Sequence, residues 1–225
     1  SRRVAAKLCA QAKSGAVSGI DGRSVLVCMD RRMEYVAAEI GIMMAGAAYV
    51  PLIPEYPQDR VDYIRKDCDA VCCIDAAWME ALGEAAGCEW DLEEGGYSKY
   101  NKNRALIVYT SGSTGLPKGI AHNHEGLFDG IMCIVQTLGY DEQTCLAAAA
   151  PMSFVVTLME YHAVLCCGGC VHMLSEEVRR DVRLLEEYYA EKDITCGFIS
   201  PQMLRYFQNR GKTKKKVIAT LAVPK

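Results

Sequence analysis

The 225 residues carry 25 basic and 28 acidic side chains, a net charge of −3, with 51% hydrophobic and 24% charged residues. That length can bury a sizeable core, and the balance excludes intrinsic disorder, collagen-like repeats and the basic footprint of a dedicated nucleic-acid binder. The 12 cysteines, about 5% of the residues, fall short of the roughly 8–10% of a disulfide scaffold.

Ser1-Arg2-Arg3 opens an amphipathic stretch, with Val4, Leu8 and Ala12 at helical spacing, rather than a secretory signal. Residues 24–29 (SVLVCM) read as a short strand, 34–45 as a helix with a broad apolar face, and 49–51 as extended. A polar helix over 58–67 has Pro57 at its start, and 70–74 is the next strand. Strand–helix–strand order predicts a parallel α/β layer. Residues 87–103, with Glu93-Glu94-Gly95-Gly96 followed by YSKYNK, read as a surface linker. A second lobe begins with a strong strand at 104–110 (RALIVYT), followed by a Gly-rich loop as far as Gly119. A helix over 126–138 ends at Gly139. Then come a strand at 144–148, a helix at 157–167 and a strand at 170–174. Ser175 is a simple cap for a helix over 176–192, because Val178 stands where a full capping box needs Glu or Gln. A strand at 194–199 and a helix at 201–208 follow, and Lys212–Lys216 is a solvated basic run. The expectation is an α/β fold of two βα lobes, 1–101 and 102–225, with mostly parallel sheets flanked by helices. The most apolar region, 145–159, is too short to span a bilayer. Cysteines in apolar runs, as in Val71-Cys72-Cys73-Ile74 and Leu165-Cys166-Cys167, read as buried thiols of a reducing cytoplasm.

The chemistry concentrates in YTSGSTGLPKG, residues 109–119. Glycines let backbone N–H groups approach an anion without steric cost. The hydroxyls of Thr110, Ser111, Ser113 and Thr114 can donate to phosphate oxygens, and Lys118 adds a cation. A Walker-type loop is excluded, since Gly115 is followed by Leu116-Pro117 and Lys118 by Gly119-Ile120. The segment instead resembles the signature loop of the adenylate-forming superfamily. That group includes nonribosomal peptide synthetase adenylation domains, acyl-CoA synthetases and luciferases. A second segment, AGAAYVPL at 45–52 with Pro54-Glu55-Tyr56-Pro57 and Arg60, resembles the peptide-synthetase branch, although Ile53 stands where that branch usually carries Asp.

The resemblance, from Arg3 to about Phe207, implies part of the large N-terminal domain of an adenylate-forming ligase. The TGD-like motif, hinge and late catalytic lysine of such enzymes have no counterpart, so the chain alone is expected to be inactive. The complete enzyme is expected to bind ATP with Mg2+ and join a carboxylic acid to AMP, releasing pyrophosphate. It then loads the acyl group onto the phosphopantetheine thiol of a carrier protein. Thr110, Ser111, Gly112, Ser113, Thr114, Gly115 and Lys118 are the implied phosphate contacts, with Thr110 and Lys118 the candidate catalytic residues. The expected partners are the acid, the carrier protein and the remainder of the adenylation domain, with neither nucleic acid nor membrane.

Residues 153–160 (SFVVTLME) resemble the family's F-D-x-S-x-x-E segment, in which the Asp pairs with a substrate ammonium. Val155 occupies that position. By the same alignment Phe154, Val155, Val156, Met159 and Phe198 line the acid pocket. Either the acid lacks an α-amino group, as an aryl, keto or fatty acid does, or an amino acid binds with its ammonium paired elsewhere. No metal site is expected: Cys167-Gly168-Gly169-Cys170 lacks a second pair at ligand spacing, and His122 and His124 read as structural. The alternative functions are a non-catalytic nucleotide-binding or interaction module and a piece of an acyl-CoA synthetase.

Overall fold

The computed structural model describes residues 1–17, 19–83, 104–111, 115–200 and 203, with only the backbone of Met159. The expected linker at 87–103, the helix at 201–208 and the basic run at 212–216 lie outside these residues.

Alternating strands and helices make up the first part of the chain, as the changing apolar period predicts. Helix α1 (Arg2–Lys13) is followed by β1 (Ser24–Cys28), α2 (Met33–Met44), β2 (Ala48–Leu52), α3 (Gln58–Asp67), β3 (Ala70–Ile74) and α4 (Ala76–Gly83). Helix α4 was not legible in the sequence. Its start is held by Asp75, whose Oδ1 accepts the Trp78 N–H at 2.8 Å, a cap that its Ala-Ala opening disguises. Strands β4 (Arg104–Ser111) and β5 (Pro117–Asn123) complete a five-stranded sheet of order β3-β1-β2-β4-β5. The joins among β1, β2, β3 and β4 are parallel, and β4 pairs with β5 antiparallel. The connection over 112–116 is too short for a parallel crossover, so these two strands form a hairpin. The Gly-rich loop is therefore shorter than expected, because Pro117–Gly119 belongs to a strand.

Strands β1 and β2 are covered on both faces and almost wholly buried, which is why they read as continuous apolar runs. Helix α3 lays Ile64 and Cys68, one turn apart, against Leu26, Ala48, Val50, Leu52, Ile107 and Tyr109. Helices α1 and α2 cross at Gly41. A Cβ there would stand 2.5 Å from the Val4 Cβ and 2.7 Å from the Ser1 carbonyl oxygen. Gly41→Ala is therefore expected to cost about 1–3 kcal/mol by forcing the helices apart. Urea denaturation checks this, and an unchanged midpoint would refute the close packing.

Because β4 and β5 join the first sheet, the chain divides at Phe128/Asp129 rather than at 101/102. Helix α5 (His124–Leu138) starts two residues before the expected position, with Asn123 Oδ1 accepting the Gly126 N–H at 2.8 Å. The second unit holds β6 (Cys145–Ala148), a π-helical turn (Leu158–His162), α6 (Ala163–Cys166), β7 (Cys170–Met173), α7 (Glu176–Arg180), α8 (Val182–Glu191) and β8 (Cys196–Gly197). Its three strands are parallel in the order β7-β6-β8. The core on one face comprises Ala147, Leu174, Leu185, Tyr189, Ile194 and Ile199.

Two elements of this unit differ from expectation. The single helix over 176–192 breaks at Asp181, which is extended (φ −109°, ψ 116°) and whose Oδ1 accepts the Arg183 and Leu184 N–H groups at 2.8 and 3.4 Å. Asp is among the strongest N-cap residues, so it starts a second helix in place of continuing the first. The strand expected at 194–199 shortens to a ladder at Cys196–Gly197.

The expectation of buried thiols also needs correction. Cys68 and Cys196 are buried, but Cys72, Cys73 and Cys167 are only partly so, while Cys133, Cys166 and Cys170 are exposed. Burial still pushes the Cys72 thiol up to about 11 and that of Cys73 up to about 12. Among the described residues no disulfide forms, and no helix is long and apolar enough to cross a membrane.

Candidate functional site

Thr110 and Lys118 are cross-strand partners in the β4·β5 hairpin, as are Ser111 and Pro117. Directly opposed residues of an antiparallel pair project to the same face, with Cβ atoms about 4.5–5.5 Å apart. The Thr110 hydroxyl donates to the Lys118 carbonyl oxygen at 3.5 Å. Thr110, Ser111, Gly115 and Lys118 are all exposed. Gly115 has φ +83°, a conformation that a side chain would strain, which explains glycine at this bend. The structure thus brings two hydroxyls and an ammonium to the exposed turn end of one hairpin. Gly112, Ser113 and Thr114 lie outside the described residues.

The turn end of the hairpin is fastened by Tyr109, whose cross-strand partner is Gly119. Its ring lies across Gly119, where a Cβ would come within 3.0 Å of the Tyr109 Cζ. Its hydroxyl donates to Asp67 Oδ2 at 2.6 Å, at the end of α3. Desolvation first, then this hydrogen bond, hold the phenol proton well above its usual range. Tyr109 and Asp67 are thus positioning residues that sequence reasoning missed. The Gly119 opposite an aromatic was the available signal.

The second group of candidates lies in the second unit. Phe154, Val155 and Val156 follow the chain's exit from the carboxyl end of β6, and Phe198 follows β8. Strand β6 lies between β7 and β8, so the segments that follow β6 and β8 leave side by side from the carboxyl edge of this sheet, the edge at which open α/β sheets bind ligands. Phe154 is 58% and Val155 43% exposed, whereas Val156 and Phe198 are partly buried. The Met159 side chain lies outside the described residues.

What shapes this segment is Glu160, in the π-helical turn and fully buried. Its Oε1 accepts the N–H groups of Ala149 and Ala150 at 3.0 Å, and its Oε2 accepts that of Ala150 at 3.0 Å. The carboxylate satisfies the backbone just beyond β6 and thereby fixes the start of the 151–156 turn. It is a positioning residue.

His162, on the same turn, is 7% exposed. Burial pulls its imidazole from 6.5 down to about 4, with a hydrogen bond at the Thr157 backbone opposing. The folded protein holds the neutral ring, while the unfolded chain takes up a proton below about pH 6.5. This stabilisation is therefore complete above pH 6.5 and lost as pH falls through 4, a total of about 3 kcal/mol. Denaturation at pH 7 and pH 4.5 should show a steeper loss for the wild type than for His162→Gln; equal slopes would refute the assignment.

A family model described as AMP-binding enzyme matches residues 7–223. The chain is 31% identical over 202 residues to malpinin synthetase of Mortierella alpina, a match covering 84% of this chain and 3% of that protein. It is 27% identical over 216 residues to tyrocidine synthase 1 of Brevibacillus parabrevis, covering 90% and 20%. Among solved structures, it resembles a four-domain nonribosomal peptide synthetase bound to AMP and glycine (TM-score 0.71, 25% identity, 92% of this chain and 16% of that one). It also shares the fold of the N-terminal subdomain of Klebsiella oxytoca NpsA in complex with 3-hydroxyanthranilyl-AMSN (TM-score 0.74, 24% identity, 92% and 53%). The chain thus spans one fifth or less of the curated relatives named here.

Proposed function

The chain belongs to the AMP-binding enzyme family, and from that premise we propose that it is part of a nonribosomal peptide synthetase adenylation domain. The complete domain activates a carboxylic acid: a carboxylate oxygen attacks the α-phosphorus of ATP, forming acyl-AMP and releasing pyrophosphate. The acyl group then passes to the phosphopantetheine thiol of a carrier protein, and AMP leaves. Mg2+ bound with ATP would add charge neutralisation at the phosphates beside Lys118. The observation that carries this reading is the register of the β4·β5 hairpin, which pairs Thr110 with Lys118 at an exposed end. Hydroxyl and ammonium donors on one face suit the departing β,γ-phosphates. Their contribution is positioning and stabilisation of developing charge.

The substrate in this proposal is an acid without a free α-amino group. Val155 is the motivating residue: where the family's Asp would pair with an ammonium, valine offers no counter-ion, which costs several kcal/mol once a bound substrate is desolvated there. The test is ATP–pyrophosphate exchange by the complete enzyme, with matched aryl, keto and amino acids. Exchange with an aryl or keto acid supports both parts of the proposal. Preference for the matched amino acid overturns the substrate class alone. No exchange from a folded enzyme with any acid overturns the activity and favours a non-catalytic nucleotide-binding module.

A further inference from the structure

We infer that Cys145, Cys170 and His172 form a binding site for a thiophilic transition-metal ion, of which Zn2+ is the natural occupant. Strands β6 and β7 run parallel with Cys145 opposite Cys170 and Ala147 opposite His172. Side chains alternate along a strand, so Cys170 and His172 share a face, and Cys145 joins them from the neighbouring strand. Their two sulfurs and one ring nitrogen all lie within 4.8 Å of one another. A tetrahedral zinc ion, with Zn–S about 2.3 Å and Zn–N about 2.0–2.1 Å, needs its donors roughly 3.5–3.8 Å apart. Small side-chain rotations supply the difference without moving either strand.

Three further features fit the donor set. First, the Tyr188 hydroxyl lies 3.0 Å from His172 Nδ1, with its ring edge-on to the imidazole at 81°. With Nδ1–H donating to Tyr188, Nε2 would be the nitrogen left for the metal, and such outer partners tune affinity. Second, two thiolates and a neutral imidazole balance the charge of Zn2+, so the bound site is neutral. Third, Cys170 is exposed while Cys145 and His172 are partly buried, which provides access for the ion and leaves a fourth position for water.

Binding releases the two thiol protons to solvent. It also exchanges the long 3.9 Å contact from Cys145 Sγ to the Lys192 carbonyl oxygen for a metal–sulfur bond. The sequence concealed this site because Cys170 suggested Cys167 as its partner. Cys167 is engaged elsewhere, with its thiol directed at the Val164 carbonyl oxygen at 3.2 Å.

The position of the site indicates its role. Cys145 and Cys170 are the first residues of their strands, at the amino ends. The candidate acid-binding residues follow the carboxyl ends of β6 and β8, the opposite edge of this sheet. The ion therefore clamps β6 to β7 and stabilises the second unit without taking part in adenylation.

Cobalt(II) titration of the reduced, metal-free full chain tests this. One equivalent should produce the near-ultraviolet thiolate charge-transfer band and the intensified visible bands of tetrahedral cobalt, both bleached by Zn2+. Zn2+ should also raise the unfolding temperature. Cys145→Ser, Cys170→Ser and His172→Ala should each abolish the signal, whereas Cys167→Ser and Cys133→Ser should retain it. Tyr188→Phe should weaken binding about 10–100-fold. Cys170 is exposed, so Cys170→Ser preserves the fold, as circular dichroism would verify. Absence of a band in the wild-type chain, or a band that survives Cys170→Ser, would overturn the proposal.

Discussion

Lys118→Ala in the complete enzyme is expected to lower acid-dependent ATP–pyrophosphate exchange by about 10²–10³-fold, the usual effect of removing one well-placed donor from a charge-stabilising site. The reasoning begins with exposure. Lys118 stands in solvent on an edge strand, and its side chain is not part of the core. Its loss should therefore leave the unfolding midpoint unchanged. What is lost is a cation opposite Thr110, at the turn end of a hairpin that Tyr109, one residue away, ties to Asp67. The Tyr109–Asp67 bond holds the strand end that carries Thr110, so the hairpin's backbone is in place when negative charge develops on the leaving phosphates. Lys118→Arg should recover part of the rate by restoring the charge with a different shape. Lys192→Ala, an exposed cation paired with Glu191, should have no effect. If Lys118→Ala retains wild-type exchange, the hairpin is not the phosphate site.

Glu160→Ala is expected to destabilise the protein by about 2–6 kcal/mol, from the lost acceptor of one buried and one half-buried backbone donor at about 1–3 kcal/mol each. The Ala149 and Ala150 N–H groups both end on this carboxylate. Removing the carboxylate also removes its own desolvation cost, which moderates the loss. Ala149 is the less enclosed of the two alanines, so water can replace part of its bond. Glu160→Gln keeps one acceptor oxygen but turns an amide NH2 toward the same donors, and should fall between wild type and Glu160→Ala. Urea denaturation of all three distinguishes these cases. A change below 1 kcal/mol for Glu160→Ala would show that the 149–156 segment is held by other contacts. A structural role alone predicts that Glu160→Gln loses stability without altering which acid is selected.

Strand and helix identity was largely legible because each element's apolar period reports its own burial. The parallel β1 and β2, buried on both faces, stand out as SVLVC and AYVPL. Ser175 capped its helix as expected, its Oγ accepting the Val178 N–H at 3.3 Å. Local misreadings arose where a polar side chain satisfied backbone groups in a way that periodicity does not register. Asp75 started an unexpected helix and Asp181 divided one. Such caps involve single residues, so a window of hydrophobicity averages them away.

The sequence by itself determined the class of fold, the family and the segment that carries hydroxyls, glycines and a lysine together. These are local properties, encoded by contiguous residues. Contacts between elements distant in sequence were left to the tertiary structure. It set Thr110 opposite Lys118, fastened Tyr109 to Asp67, and closed Glu160 onto the Ala149 and Ala150 amides. It also gave Cys170 a partner in Cys145 rather than in the neighbouring Cys167. Register is decided by packing of whole elements, and a slip of one residue in β4, β5, β6 or β7 would send that strand's side chains to the opposite face.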